Sequence, residues 1–267
     1  LGDVYKRQLH YYAWRYESGP GPIDGTDQVF YAELSTAAEV PAPTVMNDPS
    51  GDALFFINGD GDLQYEVIVV DNNCTDRTAA VAQTLGAKVV PEPKAGYGAA
   101  LKAGFRSATK DIIVAMDGDA TYPRNFIPVV LDVMIDENLD FVTCDRTGHK
   151  AEQSDSFLRV LGNLVLNVVV LILYGFWLND SQSGMWVFRR SILDQLNLTS
   201  DTMALSQELK IEAFTRKNLR SRELPIYYKA RVGESKLNLW HDGFSNLLFL
   251  FRKRLDMLKG PRPRTGG

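Results

Sequence analysis

The sequence predicts an α/β fold in which a mainly parallel sheet is flanked by helices on both faces. From residue 65 onward, short apolar runs of strand length alternate with segments of helical periodicity, an order typical of parallel sheets. One such run, residues 112–116, ends in Asp117-Gly118-Asp119. Ligands bind at the carboxyl ends of strands in open α/β sheets. The alternation therefore predicts the fold, and the two acids predict the edge of the sheet that carries the site.

Composition narrows the class of protein. The 267-residue chain is 45% hydrophobic and 23% charged, which is enough for one large globular domain or two small ones. Its formal net charge of −4 argues against general nucleic-acid binding. The cysteines are Cys74 and Cys144. They give no disulfide framework and favour a reducing compartment.

Three regions differ in pattern. Residues 1–52 lack sustained periodicity and are rich in Gly and Pro, so we interpret them as an irregular or non-native segment. Residues 53–240 are predicted to form the α/β domain. Residues 241–267 are predicted to form an amphipathic helix and a basic tail. Their change from apolar to basic residues suits a helix docked on an anionic membrane surface, and a helix packed on the core is the alternative.

The first half of the domain begins with two strand-like runs, residues 54–57 and 65–70. The link between them is too short for a parallel crossover, so we predict an antiparallel hairpin. The pattern then predicts, in chain order, a helix to residue 85, a strand at 87–90, a helix at 96–108, the strand at 112–116, a helix at 125–135 and a strand at 140–144.

The turn Gly96-Tyr97-Gly98, which opens the second of these helices, has two interpretations. Its backbone N–H groups would suit a phosphate, or its glycines would simply allow a tight turn. The second interpretation is favoured because position 101 is Leu, which breaks the GxGxxG spacing.

The second half of the domain contains the longest apolar run, residues 160–178, which borders on the length of a transmembrane helix. Arg159, Asn163 and Asn167 recur at four-residue spacing, which puts them on one helical face. That polar stripe favours a helix at the membrane surface or beside a lipid phosphate, with a true span and a buried helix as alternatives. The pattern then predicts a strand at 185–188, a helix at 205–214 and an edge strand at 223–228 that tolerates its proline.

The pair Asp117 and Asp119 suits a hard divalent cation. Two carboxylates one residue apart, with a glycine that keeps the backbone open, provide oxygen ligands and leave positions for substrate phosphates. The alternative is that both acids are ordinary turn residues after a strand.

Five motifs in order resemble those of family 2 glycosyltransferases of the GT-A (Rossmann-like) fold. The chain is most similar to the branch of dolichol-phosphate mannose synthases and polyprenyl-phosphate glycosyltransferases. The motifs are VVDNNCTD at 69–76, GYGAA at 96–100, DGD at 117–119, DSQSG at 180–184 and RVGESKL at 231–237.

This resemblance implies a role for individual residues. Mg²⁺ or Mn²⁺ on the donor diphosphate would be held by Asp117 and Asp119. The nucleotide would contact Asp71, Asn73, Asp117 and Gly118. The acceptor phosphate would contact Arg146, Arg159 and Asn163, and the diphosphate would be neutralised by Arg231 and Lys236. Within this set, the resemblance implies catalytic roles for Asp119, Arg146, Arg159 and Lys236.

The implied reaction is an inverting, metal-dependent transfer of a sugar from a GDP- or UDP-linked donor to a polyprenyl (dolichyl-type) phosphate. The enzyme would be peripheral or interfacial at the cytoplasmic face of a membrane. The alternatives are a glycosyltransferase with a saccharide acceptor and an inactive fragment that lacks a complete donor site.

One departure from the family concerns the first strand. Relatives begin with a strand and a Pro-x-x-Asn-Glu-like turn, and no such motif precedes residue 64. We therefore expect the usual first βα unit to be lacking. Its loss would leave a hole beside residues 67–70, or an unrelated segment would fill the position.

Overall fold

The computed structural model describes residues 52–57, 65–118, 121–150, 157–228 and 239–259. Seven strands form one sheet in the order β3-β2-β1-β4-β6-β5-β7. The prediction for residues 1–51 lies outside the described residues. The strands are β1 (Asp52–Ile57), β2 (Ile68–Asp71), β3 (Lys88–Pro91), β4 (Ile112–Asp117), β5 (Phe141–Lys150), β6 (Trp186–Arg189) and β7 (Ser221–Tyr228).

Strand directions make the sheet mixed rather than purely parallel. The pairs β2–β3 and β5–β7 are parallel, and the other neighbours are antiparallel. Five strands consequently run in one direction, while β1 and β6 run in the other. The predicted α/β fold with helices around a mainly parallel set of strands is confirmed, with these two reversals. The proline-containing strand β7 lies at an edge, as predicted.

Strand β1 occupies the position between β2 and β4. It is antiparallel to both, with Ala53 opposite Val69 in β2 and Ile57 opposite Ile112 in β4. The predicted hairpin is therefore present. The position beside β2 is filled by a strand of reversed direction, because antiparallel and parallel ladders both satisfy backbone hydrogen bonds.

The described part of the chain contains six α-helices. The predicted helix at 125–135 starts with a 3-10 turn, Arg124–Phe126, and its α-helical part begins one residue before Pro128, where proline fits the first turn. The helices are α1 (Thr78–Thr84), α2 (Tyr97–Ser107), α3 (Ile127–Asp136), α4 (Phe157–Tyr174), α5 (Leu205–Thr215) and α6 (Leu239–Leu258).

Both faces of the central strand β4 are buried, which explains its uninterrupted apolar sequence. Ile113 and Ala115 pack into a cluster with α2 and α5. Val114 and Met116 pack on the opposite face into a cluster with α3. The strand is held from both sides, so the position of Asp117 at its end is well determined.

Helices α4 and α6 form a further layer. Leu166 and Val170 of α4 pack against Leu250 of α6, and the Tyr174 hydroxyl donates to the Leu250 carbonyl at 2.6 Å. Among the helices that the structure describes, none combines the length and apolarity needed to cross a bilayer.

The inner side of α6 is fixed by an ion-pair cluster. The ammonium of Lys253, 3% exposed, lies 2.9 Å from a Glu208 carboxylate oxygen and 2.7 Å from one of Glu212, both in α5. It also donates to the Asn197 carbonyl at 2.7 Å. The prediction of a helix packed on the core is therefore confirmed for this side.

The outer side of the same layer is apolar and exposed. Such contiguous patches mark interaction surfaces. The large exposed side chains are Val160, Leu161, Leu164, Val165, Val168, Leu171 and Ile172 in α4, and Phe244, Leu248, Phe251, Leu255 and Leu258 in α6.

Candidate active site

Asp117 lies at the carboxyl end of β4, half-buried, and the exposed Gly118 follows it in a turn. The Tyr97 hydroxyl donates to Asp117 Oδ1 at 3.4 Å. The carboxylate rests against Gly184, where an added Cβ would lie 3.1 Å from Oδ1 and 3.3 Å from Oδ2. The absence of a side chain at Gly184 therefore leaves room for the carboxylate.

Arg146 on β5 is paired with Asp180, which is fully buried. The guanidinium donates through Nε to Asp180 Oδ2 at 2.6 Å and through NH2 to Oδ1 at 2.9 Å. The backbone N–H of Arg146 also donates to Oδ2, at 3.1 Å. Burial alone would raise the pKa of Asp180, but the Arg146 guanidinium holds that pKa below its ordinary value. The pair is thus ionised at neutral pH, with Arg146 in a fixed orientation.

Tyr122 joins the Asp117 side of the site to the Arg146 side. Its hydroxyl accepts the Gly184 N–H at 2.6 Å, and its ring meets that of Tyr228 at 5.1 Å. The Arg146 guanidinium lies over the Tyr228 ring at 5.4 Å. Burial raises the pKa of Tyr122, so its hydroxyl stays neutral. Asp117 and Arg146 therefore belong to one site.

The turn Asp180–Ser183 is supported from below by Lys210 of α5. The buried Nζ donates to the carbonyls of Asp180 at 3.2 Å, Ser181 at 2.9 Å and Ser183 at 2.7 Å. The Glu223 carboxylate accepts the N–H groups of Asn179 at 2.7 Å and Asp180 at 3.0 Å. The turn that carries Asp180 is consequently held by groups of both charges.

Two residues of the predicted polar stripe also hold this turn. Asn163 donates to the Asn179 carbonyl at 3.3 Å and accepts the Ser181 hydroxyl at 3.4 Å. The buried Asn167 donates to the same carbonyl at 2.7 Å and accepts the Ser181 N–H at 3.2 Å. Asn163 and Asn167 lie on one helical face, as predicted, and their amides support the turn. The contact of Asn163 with an acceptor phosphate stays a prediction.

The predicted nucleotide residues lie in the turn after β2. Asp71 accepts the Cys74 N–H at 2.8 Å. Asn73 adopts a left-handed conformation, with φ of 62°, and donates to the Pro93 carbonyl at 3.0 Å. Asn72 donates to the Glu92 and Lys94 carbonyls and accepts the Gly96 N–H at 2.8 Å. These bonds fix the turn beside α2.

The tight-turn interpretation of Gly96-Tyr97-Gly98 is confirmed. The N–H groups of Gly98 and Ala99 donate to the Asp201 carbonyl at 3.0 and 3.3 Å, so they are used within the protein. A Cβ on Gly98 would come within 2.7 Å of the Ser200 carbonyl oxygen. The glycine is needed because the 200–201 backbone packs directly on the helix.

The side chains of four predicted site residues are not described by the structure. Asp119, Arg231 and Lys236 lie outside the described residues, as does the side chain of Arg159. Within the described residues, no three His, Cys, Asp or Glu side chains converge as a metal site. Asp117 is the described member of the predicted pair.

Sequence reasoning assigned no role to several residues that shape this site. Asp180 lies in the DSQSG motif, which was a usable signal. Tyr122 comes five residues after Asp117 and is the first aromatic residue past the acids. The sequence around Lys210 and Glu223 does not indicate a site role, because both residues act by bonding to a turn that is distant in sequence.

The family model for glycosyl transferase family 2 matches residues 56–196. A dolichyl-phosphate hexose transferase of Haloferax volcanii is 34% identical over 193 residues, covering 72% of this chain and 82% of that protein. A dolichol-phosphate mannosyltransferase of Pyrococcus furiosus is 28% identical over 184 residues, covering 66% of this chain and 51% of that relative.

A solved structure also resembles the chain. Glucosyl-3-phosphoglycerate synthase from Mycobacterium tuberculosis, in complex with Mn²⁺, UDP-glucose and phosphoglyceric acid, superimposes with a TM-score of 0.57. The two share 22% identity over 70% of this chain and 68% of that one, which shows a common GT-A fold. The family match and the Haloferax relative show that the chain belongs to glycosyltransferase family 2 and is an enzyme of the glycosyltransferase class.

Proposed function

We propose that this enzyme transfers a hexose from a nucleotide-sugar donor to a polyprenyl phosphate at a membrane surface. The observation that carries the proposal is the joining of Asp117 and Arg146 through Gly184 and Tyr122. A carboxylate suited to a donor metal and a guanidinium suited to a phosphate thus share one site. The two relatives named above act, by their names, on dolichyl or dolichol phosphate.

The donor side would use Asp117 and Asp119 to hold Mg²⁺ or Mn²⁺. The lack of a side chain at Gly184 supports this assignment, since an added Cβ would lie 3.1 and 3.3 Å from the Asp117 carboxylate oxygens and crowd them. A bound divalent cation neutralises charge on the departing nucleoside diphosphate. Asp71 and Asn73 would contact the nucleoside, either GDP or UDP. The Mn²⁺ and UDP-glucose in the solved structure of similar fold support a donor of this class.

The acceptor side needs no strong general base, because an ionised phosphate is already a nucleophile. One phosphate oxygen forms the new bond to the anomeric carbon. The bond from that carbon to the diphosphate oxygen breaks, and its electron pair leaves with the nucleoside diphosphate. Attack from the face opposite the leaving group inverts the anomeric carbon. Arg146, Arg159 and Asn163 would hold the acceptor phosphate, and Arg231 and Lys236 would balance the diphosphate charge.

The layer of α4 and α6 would place the enzyme on the membrane. Its outer side exposes apolar residues such as Ile172, at 74%, and Phe244, at 68%. The exposed cations Arg252 and Lys259 lie on the same C-terminal helix and its end. Apolar side chains that enter the acyl boundary, with cations at anionic headgroups, are the features of an interfacial helix. We assign this surface to the cytoplasmic face, where nucleotide sugars are available.

Calorimetric titration with GDP and UDP, with and without Mn²⁺, tests the donor site. Asp117→Asn and Asp119→Ala are expected to abolish manganese-dependent binding. Asp194→Asn changes an exposed acid in the 3-10 segment after β6 and is the matched control. A folded wild-type chain that binds neither nucleotide would favour the inactive-fragment alternative. Transfer to a saccharide but not to polyprenyl phosphate would favour the second alternative.

A further inference from the structure

We propose that Lys210 is a positioning residue of the transfer site, because its ammonium shapes the Asp180–Ser183 turn that sets both Arg146 and the space for Asp117. This inference rests on the proposed function and adds a residue that touches neither donor nor acceptor.

The contacts of Lys210 match the chemistry of an ammonium group. Nζ has three N–H donors, and three carbonyl oxygens, of Asp180, Ser181 and Ser183, lie within 3.2 Å of it. The residue is 0% exposed, so no solvent replaces these bonds when the side chain is removed. A neutral apolar side chain would leave the carbonyls of the turn without this donor.

The turn held by Lys210 leads to both halves of the site. At its start, the Asp180 carboxylate accepts three hydrogen bonds from Arg146. Just after its end, Gly184 donates to the Tyr122 hydroxyl and, having no Cβ, leaves the neighbouring Asp117 carboxylate uncrowded. A shift of the turn would therefore have two effects at once. It would move the Arg146 guanidinium and crowd the Asp117 carboxylate.

Burial of the Lys210 ammonium is energetically unfavourable, because the charged group loses its hydration. Burial lowers the pKa of Lys210 to about 7, while Asp180 opposes that effect and Arg146 adds to it. A buried ion pair often adds little net stability compared with apolar residues of similar volume, although removing one partner alone is destabilising. A second support of the turn, Ser206, donates to the Ser183 carbonyl at 2.9 Å. The geometry thus indicates that Lys210 serves the arrangement of the turn.

The experiment compares Lys210→Met with Lys253→Met. Both substitutions remove a buried ammonium group. Lys210 lies in α5, and Lys253 forms ion pairs with two glutamates of α5. Lys253 contacts Glu208, Glu212 and Asn197 and forms no hydrogen bond or ion pair with the turn in the described structure. The measurements are thermal melting, the Kd of Mn²⁺ with UDP or GDP by calorimetry, and kcat and KM for a short-chain polyprenyl phosphate in detergent.

For Lys210→Met we expect the nucleotide Kd and the acceptor KM to rise about tenfold, the scale seen when residues that orient a site are removed. The kcat at saturating acceptor should change less than the KM. Lys253→Met should lower the melting temperature and leave the Kd and KM close to those of the wild type. The inference is overturned if folded Lys210→Met binds both substrates normally, or if both variants weaken binding equally.

Two further outcomes have definite meanings. If Lys210→Met does not fold at any temperature, Lys210→Arg is measured instead. It keeps the charge but replaces a point donor with a planar fork, and unchanged binding by this variant would overturn the inference. If the wild-type chain binds no nucleotide, the proposed function fails and the inference fails with it. Normal wild-type binding with an unaffected Lys210→Met refutes the inference alone.

Discussion

Replacement of Gly184 by alanine tests the link between the backbone of the turn and the donor site. The added Cβ would lie 3.0 Å from the Tyr97 hydroxyl, 3.1 Å from Asp117 Oδ1 and 3.3 Å from Oδ2. Ordinary contact begins at 3.4 Å, so these groups or the backbone must move by a few tenths of an ångström. The structure therefore predicts a small displacement of the donor carboxylate.

The size of the effect follows from that displacement. A misplacement of about 1 Å costs roughly 100-fold in well-oriented sites. A proportional loss for the smaller shift is roughly three- to fivefold in manganese-dependent nucleotide affinity. Stability should change by less than about 1 kcal/mol, because alanine reduces the entropy of the unfolded chain and offsets part of the crowding.

Calorimetric titration with Mn²⁺ and nucleotide, beside a thermal melt, measures both quantities. Gly162→Ala is the matched control, since a Cβ at this helical position meets nothing within 4 Å. It should raise stability by up to about 1 kcal/mol and leave nucleotide affinity unchanged. Wild-type affinity in folded Gly184→Ala would refute the assignment of the Gly184 space to the donor carboxylate.

Three further predictions concern the acceptor side, acid stability and the membrane surface. Asp180→Asn should raise the acceptor KM and lower the free energy of unfolding by about 2–4 kcal/mol, because it leaves Arg146 without its buried counter-charge. Steady-state kinetics measure the KM, and urea titration measures the free energy of unfolding. An unchanged KM would contradict the role of the pair. The pKa values of Asp180 and Glu212 are held below their ordinary values, against the effect of burial, by Arg146 and Lys253 respectively. Their stabilising contribution is present above about pH 4.5 and is lost as the pH falls through the lowered pKa values, so urea midpoints should drop in acid, and less steeply in Asp180→Asn. Ile172→Glu should reduce co-sedimentation with anionic vesicles without changing the melting temperature, whereas Ile135→Glu on α3, a residue 58% exposed, should leave sedimentation unchanged; equal losses would argue against a specific membrane face.

The parts of the fold that were predictable from sequence are those with strong local signals. The β4 run is apolar because both of its faces are buried, and its strand type, length and acidic end all follow from residues 112–119. The helices after it begin and end within a few residues of the predicted positions. The stripe of Asn163 and Asn167 was correctly assigned to one helical face, because helical spacing alone determines that.

The remaining features depend on contacts between distant segments. Arg146 and Asp180 are 34 positions apart, and Lys210 is 27 to 30 positions from the carbonyls that it binds. Nothing in the neighbourhood of any of these residues specifies its partner. The partner of the Asn163 amide was likewise decided by the loop that packs on it. The local sequence pattern predicts which face of a helix a residue lies on and which end of a strand carries a site. Which side chains meet at that place depends on the fold of the whole sheet.

The reversed direction of β1 determines where the polypeptide enters the domain. Asp52 pairs with Asp117 in the register of β1 and β4, so the strand starts at the edge of the sheet that carries the candidate site and ends at the far edge. In a domain with a forward first strand, the chain would enter from the far edge. A purification tag or fusion partner joined directly ahead of Asp52 would thus be delivered beside Asp117. For binding studies, an affinity label is better attached after α6.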